Sequence, residues 1–312
     1  MILLWGLSGD GPFDRVRDAL DQAGAASAVI DQRDVLTTSI DMTCDPELRA
    51  RACVDGRALC LDDVTAVYWR TYDVRRLPAM VEDGDGSDAG RWERVLRLEQ
   101  ALLSWLETTR ARVVNRPSSM ASNNSKPYQA EVLRRHGFEV PETMITTDPD
   151  EVRRFWTDHG AVIYKSISGA RSVVSRLTHA HIERIEQVVW CPTQFQQWVP
   201  GVDVRVHVVG DEVFACEVRS TADDYRYAEA RGGSVEIIPC ELPPDITARC
   251  LEVTAALDMD LSGIDLRRAP DGRWFAFEVN PSPGFSYYEE RTGQPIAKAI
   301  ARLLTSSERR RS

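Results

Sequence analysis

Phe277-Glu278-Val279-Asn280-Pro281-Ser282-Pro283-Gly284-Phe285, read together with Gly263-Ile264-Asp265-Leu266 a short turn upstream, decides the fold of this chain. Glu278 and Asn280 are two residues apart, so on an extended strand they share one face. Residues 263–268 and 274–279 read as strands joined across 269–273. If they pair as a hairpin, Asp265 stands beside Glu278 and Asn280. That is a compact set of hard oxygen ligands, suited to a magnesium ion that also holds nucleotide phosphates. Alone, the triplet reads better as an exposed polar strand face. Its apolar neighbours Ile264, Leu266, Phe275, Phe277 and Val279 argue instead that these strands are buried.

Upstream, 202–209 and 213–219 alternate apolar and polar residues across Gly210-Asp211-Glu212, a tight-turn signal. The C-terminal part therefore reads as antiparallel from Val202 onward, completed by helices over 245–257 and 295–304. Between 193–199 and this hairpin lies Gln197-Trp198-Val199-Pro200-Gly201-Val202-Asp203-Val204-Arg205. A backbone edge here can hydrogen-bond adenine, with Asp203 near ribose hydroxyls and Arg205 on a phosphate. The plainer alternative is a strand–turn–strand in which Asp203 and Arg205 form a surface ion pair. Arg219, closing the next strand, adds a second cation to the same sheet.

Two lysines precede these segments. Lys165 ends the apolar strand 161–165 and faces a small-residue loop, 166–172, that contains Ser168, Gly169 and Ser172. Backbone N–H groups of such a loop approach phosphate oxygens closely. The G-x-x-x-x-G-K-S/T pattern is absent, so this is no Walker A loop. Lys126 opens the helix-like segment 126–136. Taken singly, one lysine is an ordinary strand end and the other an ordinary first-turn residue.

The first third reads differently. Short apolar runs at 2–7, 26–30, 57–61, 66–69 and 112–115 alternate with helix-spaced segments at 13–23 and 92–108, which implies a mostly parallel open sheet. Residues 83–90 are polar and glycine-rich, a mobile loop by composition. Pro117 marks a boundary, and strands over 143–146 and 161–165 with a helix over 148–158 follow it. The fold class is α/β, turning α+β in the C-terminal part. The expected units are 1–117 (open parallel sheet), 118–200 (central subdomain) and 201–308 (antiparallel sheet with the metal site).

Composition narrows the function classes. The net charge of −10 over 312 residues argues against gripping nucleic acid through a basic face. Seven widely spaced cysteines without a C-x-x-C pair indicate neither a disulfide framework nor a zinc knuckle. The N-terminus lacks the basic flank of a signal peptide and no apolar run approaches membrane-spanning length, so a cytoplasmic protein without a membrane partner is expected. Residues 309–311 read as a frayed tail.

Together, Lys126, Lys165, Val199-Pro-Gly-Val-Asp-Val-Arg205, Arg219, Asp265 and Phe277-Glu-Val-Asn-Pro-Ser-Pro-Gly-Phe285 resemble, in that order, the ATP-grasp ligases of the RimK-like branch, over roughly 115–305. The resemblance implies an ATP-grasp fold behind an N-terminal open-sheet domain, with ATP and magnesium (one or two ions, manganese as substitute) as cofactors. It implies Lys126 and Lys165 on the phosphates, with Ser168 and Gly169 in the loop beside them. It places Gln196, Gln197, Trp198 and Val199 around adenine, Asp203 near ribose, and Asp265, Glu278 and Asn280 on metal. Arg205 and Arg219 would stabilise the phosphoryl group and an acyl phosphate, and residues 225–234 would cover the site. His207 is the one candidate general base, although a lone strand histidine is more often structural.

The implied activity is ADP-forming ligation of a carboxylate to an amine or hydroxyl, on a peptide or amino-acid substrate. Val67-Tyr-Trp-Arg70 and Asp224-Tyr-Arg226 resemble the graspetide macrocyclases, which act on ribosomal precursor peptides. Asn280-Pro-Ser-Pro-Gly-Phe285 is closer to the glutamate-ligase style. A non-catalytic ATP-binding protein, as synapsin uses this fold, is the alternative of another class. A homodimer is compatible with the sequence, which leaves the oligomeric state open.

Overall fold

The computed structural model describes residues 1–45, 47–77, 80, 89–166, 174–220 and 234–306. The N-terminal sheet is parallel throughout, in the order Ser27–Asp31, Ile2–Gly6, Ala66–Arg70, Arg112–Val114. Its central strand Ile2–Gly6 is buried at every position, as a strand covered on both faces must be. One face packs Leu3, Trp5, Val67 and Trp69 under the helix Ala89–Thr108 through Leu98, Leu102 and Trp105. The other packs Leu4 and Tyr68 against Phe13, Val16 and Leu20 of the helix Gly11–Gln22. That second face also takes Phe285, Ile296 and Ile300 from the far end of the chain, so the last helix, Ile296–Thr305, fastens the C-terminal sheet to the N-terminal one.

The expectation of a mostly parallel first third holds for these four strands and misses an antiparallel meander beside them. Ser39–Thr43, Arg49–Val54 and Arg57–Cys60 form it, and only the last had a readable apolar run. In the first two strands just alternate residues reach the core (Ile40, Met42, Ala50, Ala52).

Antiparallel pairing also begins earlier than Val202. The central sheet runs Ser175–Arg176, Val162–Ser166, Thr193–Gln197, Thr143–Thr146, with every pair antiparallel. The helix Pro149–His159 covers one face through Val152, Phe155 and Trp156, together with Phe195 and Tyr164. The opposite face carries Ile163, Lys165, Gln194 and Gln196, which are register partners.

The C-terminal sheet runs Val235–Cys240, Glu212–Ser220, Val202–Val209, Leu261–Arg268, Trp274–Asn280, again fully antiparallel. Val204, Val206, Val208, Ile264, Leu266 and Val279 pack on the helix Pro244–Ala256. Because strand side chains alternate, the odd-numbered residues of the two central strands are left on the other face, toward the central sheet. The expected mobile loop at 83–90, the cover at 225–234 and the tail at 309–311 fall largely or wholly outside the described residues. Of the first, Ala89 and Gly90 already belong to the helix Ala89–Thr108.

Candidate functional site

The cleft between the central and C-terminal sheets collects most of the residues singled out above. Its walls include Lys165, Gln196 and Trp198 from one sheet and Asp203, Arg205, Asp265 and Glu278 from the other. Register explains the second wall. Arg205 pairs directly with Asp265, and Asp265 with Glu278, so three charged side chains stand in a row on one face. One step along, His207, Gly263 and Asn280 form a second row. A bulge between Asp265 and Leu266 resets the register just beyond the carboxylates and turns Phe277 toward the cleft.

Each carboxylate holds a cation. Arg205 Nη1 lies 2.6 Å from Asp265 Oδ1, and Lys126 Nζ lies 2.6 Å from Glu278 Oε2. Lys126 thus meets the strand Trp274–Asn280 itself. Its helix, Lys126–Arg135, is clamped to that strand by buried Gln129, whose Nε2 donates to the Val279 carbonyl at 2.7 Å while Val279 N–H donates back at 3.2 Å. Gln129 in effect completes the ladder of an edge strand. Asn280 Oδ1 accepts from Ser282 N–H at 2.9 Å, and an amide oxygen keeps a second lone pair. Two carboxylates and one amide oxygen, opening on a cleft with lysine and arginine beside them, fit a hard divalent ion. Among the described residues no third His, Cys, Asp or Glu joins them.

Arg205 is 7% exposed, and its surroundings fix its direction. Nε donates to His207 Nε2 at 3.4 Å, and the guanidinium sits 5.6 Å from the Tyr288 ring centroid. Gly263 leaves the space that the Arg205 guanidinium occupies. A Cβ at that position would stand 2.6 Å from Pro283 Cβ and 2.8 Å from Arg205 Cζ. His207 is buried, and burial, with the Arg205 charge added, holds its pKa well below the usual histidine range. The Gly284 carbonyl accepts from its ring. Neutral, and with Nε2 facing a donor, His207 orients Arg205 and is ill suited to serve as a base.

Asp203 and Arg205 do not pair with each other. Asp203 is held by Arg267 (Nη2 to Oδ1, 2.6 Å), whose Nη1 also donates to the Val199 carbonyl at 2.8 Å. Arg267, unnoticed in the sequence, thus ties the linker between the sheets to the expected ribose residue. Gln196 is 4% exposed, and its Nε2 donates to Thr143 Oγ1 at 2.9 Å. The Thr143 hydroxyl proton goes to the Pro141 carbonyl at 2.9 Å, so Gln196 must be the donor in that contact. Its Oε1 is left buried without a partner. Trp198 lies under the Arg176 guanidinium at 4.1 Å, whereas Gln197 turns toward the Glu142 backbone and Val199 is buried. Ser168 and Gly169 lie outside the described residues.

Arg219 is not brought to this row. Val218 pairs with Asp203 and Cys216 with Arg205, which puts Arg219 on the opposite face, bonded to Glu217 (3.0 Å) and near Glu236 (3.9 Å). Reading 210–212 as a three-residue turn would pair Val209 with Val213 and carry Arg219 to the Asp203 face. The observed pair is Val209 with Glu212, closing on two residues with Gly210 at φ 58°. One residue of slip reverses the face.

The N-terminal domain reaches the site as well. Buried Asn115 donates from Nδ2 to the carbonyls of Leu261 and Pro281, both at 2.7 Å, and accepts from Asp260 and Leu261 N–H at 2.8 and 3.1 Å. It therefore joins the start of the strand that carries Asp265 to the end of the strand that carries Glu278 and Asn280. No helix among the described residues is long and apolar enough to cross a membrane.

Comparison with known proteins bears on the family and the fold. Residues 122–304 match the RimK-like ATP-grasp domain. The chain is 27% identical over 202 residues to a probable alpha-L-glutamate ligase of Shewanella loihica, covering 61% of this chain and 66% of that protein. It is 28% identical over 220 residues to beta-citrylglutamate synthase B of Danio rerio, covering 66% of this chain and 53% of that one. The matches thus span just under two thirds and about half of these relatives' lengths. Among solved structures, macrocyclase MdnC of Microcystis aeruginosa MRC, bound with precursor peptide MdnA, has the same fold (TM-score 0.83, 21% identity, 98% of this chain and 100% of that one). ATP-grasp ligase PsnB, complexed with minimal precursor, Mg and ADP, superposes with TM-score 0.77 at 26% identity, over 97% of this chain and 96% of that one. ATP-grasp ligases use ATP and magnesium, and the likeness spans every sheet described above. The chain belongs to the RimK-like ATP-grasp family.

Proposed function

We propose that this protein activates a carboxylate with ATP through an acyl phosphate and transfers the acyl group to an amine or hydroxyl, with ADP as product. The observation that carries this reading is the single cleft in which Lys165, Gln196 and Trp198 face Asp203, Arg205, Asp265 and Glu278. Lys126 and Lys165 bind phosphates, Gln196 and Trp198 line the base, and Asp203 meets the ribose. The buried Gln196 Oε1 offers an acceptor, which suits the exocyclic amine of adenine. Magnesium held by Asp265, Glu278 and Asn280, as one or two ions, neutralises phosphate charge.

A substrate carboxylate oxygen attacks the γ-phosphorus, and ADP leaves. Arg205 faces the charge spread over the transferring oxygens. The nucleophile then adds to the acyl carbon, loses its proton to solvent, and phosphate departs. Arg205 is the cation available to the tetrahedral oxyanion. Arg219, on the far face and paired with glutamates, has no part in this step.

For the substrate we favour a peptide, with a side-chain carboxylate as acyl donor. Support comes from the whole-chain likeness to PsnB, solved with its precursor, and from the glutamate ligases among the relatives. The test is ADP release from MgATP on adding acidic peptides, with free glutamate as the second arm. Release with neither, despite tight ATP binding, would favour a non-catalytic nucleotide-binding protein.

A further inference from the structure

Arg70 belongs to the N-terminal sheet, yet one terminal nitrogen of its guanidinium is given over to the loop that follows the strand Trp274–Asn280. Nη1 donates to the Ser282 carbonyl (2.9 Å), the Ser282 hydroxyl (3.0 Å) and the Pro283 carbonyl (3.2 Å). Nε is held by Asp10 at 2.6 Å, with the two side chains 18% and 6% exposed. Asp10 is itself fixed, since it caps the helix Gly11–Gln22 through Phe13 N–H and accepts from the Tyr72 hydroxyl at 3.0 Å. The loop has two further anchors in this domain. Asn115 holds the Pro281 carbonyl at 2.7 Å, and Phe285 is buried in the cluster that contains Phe13 and Tyr68.

What the loop carries leads into the cleft. Ser282 N–H orients Asn280 Oδ1 at 2.9 Å, and the Gly284 carbonyl accepts from His207, whose Nε2 receives Arg205 Nε at 3.4 Å. A hydrogen-bonded path therefore runs from Asp10 and Arg70 through residues 282–284. It divides there, one arm to the amide ligand and the other, through His207, to Arg205 and Asp265.

We infer that Arg70 is a positioning residue for the metal and phosphoryl site, acting through loop 281–285 and braced by Asp10. The inference rests on the reading of Asp265, Glu278, Asn280 and Arg205 given above. Groups that orient metal ligands without touching the metal cost about 10- to 100-fold in metal affinity when removed. A lysine keeps the charge beside Asp10 but, as a compact point donor, does not reproduce a guanidinium that holds a carboxylate and two carbonyls at once.

The experiment measures Mn2+ affinity by electron paramagnetic resonance in the protein–ADP complex, and amide exchange across 279–286, for the wild type, Arg70→Ala and Arg70→Lys. Both variants are expected to lose about tenfold in Mn2+ affinity and to exchange faster over 282–286. Metal-free ADP affinity should stay within about threefold, because the base and ribose contacts are untouched. If Arg70→Ala fails to fold, Arg70→Lys decides. A folded Arg70→Lys with wild-type Mn2+ affinity and wild-type exchange overturns the positioning role. So does a lowered melting temperature with unaltered metal affinity, which marks a purely structural clamp. A wild-type protein that binds no Mn2+ with ADP sinks the site assignment itself.

Discussion

Replacing Gly263 with alanine adds one methyl group where the site has no room. The new Cβ would lie 2.8 Å from Arg205 Cζ and 2.6 Å from Pro283 Cβ, and nearer still to Arg205 Nη2. Ordinary carbon contacts begin near ~3.5 Å, so the guanidinium must retreat by roughly 1 Å. It is hemmed in by His207 and Tyr288 on its own side, and the retreat breaks its 2.6 Å bond to Asp265. A hydrogen bond to a charged group contributes about 1.5–3 kcal/mol, which is about 10- to 150-fold in an equilibrium. If Arg205 faces the γ-phosphoryl, the loss falls on that phosphate. Calorimetric affinity for the β,γ-imido analogue of ATP should then fall by that factor, while ADP affinity changes less than about threefold. Overpacking costs about 1–3 kcal/mol of stability as well, so folding is checked first by circular dichroism. A folded Gly263→Ala protein binding both nucleotides as the wild type does would refute the reasoning.

Glu278→Gln neutralises the carboxylate proposed to hold the metal and ends its ion pair with Lys126, and MgATP turnover should vanish. With both side chains about a quarter exposed, denaturant stability should fall by less than about 1 kcal/mol; retained turnover would remove Glu278 from the metal site. Gln129→Leu strips the Val279 N–H and carbonyl of their buried partners, at about 1–3 kcal/mol per group. Urea midpoints should drop accordingly, and an unchanged midpoint would contradict the clamp. His207 is neutral when folded and takes up a proton on unfolding below its ordinary pKa near 6.5. The unfolded state then binds more protons, so stability is full above about pH 6.5 and is lost as pH falls toward the depressed folded value. The slope is at most about 1.4 kcal/mol per pH unit. His207→Asn should flatten that part of the pH–stability curve relative to wild type, and parallel curves would speak against a buried neutral imidazole.

The strand that carries Glu278 and Asn280 was legible because its information is local. The spacing of Glu278 and Asn280 places them on one face whatever the rest of the chain does, and the apolar residues around them mark a buried sheet. Residues whose roles depend on partners far along the chain carried no such signal. Gln129 reaches Val279 across 150 positions, and Asn115 reaches Leu261 across 146. Nothing near either one distinguishes it from a surface amide. Arg267 and Gly263 sit inside readable strands, but their importance appears only once Asp203 and Arg205 stand opposite them. Arg219 shows how narrow the margin is, since one residue of turn length moved it to the wrong face. The meander at 39–60 stayed hidden because its first two strands turn only alternate side chains toward the core (Ile40, Met42, Ala50, Ala52, Val54).

The central claim is that Asp265, Glu278 and Asn280 hold the metal that serves the nucleotide in the cleft between the two antiparallel sheets. Anomalous diffraction from a crystal grown with Mn2+ and ADP tests it most directly. A manganese peak is expected within about 2.0–2.3 Å of oxygens from these three side chains, with the diphosphate on its other side and adenine beside Gln196. A manganese peak bound elsewhere, with ADP outside the cleft, would contradict it.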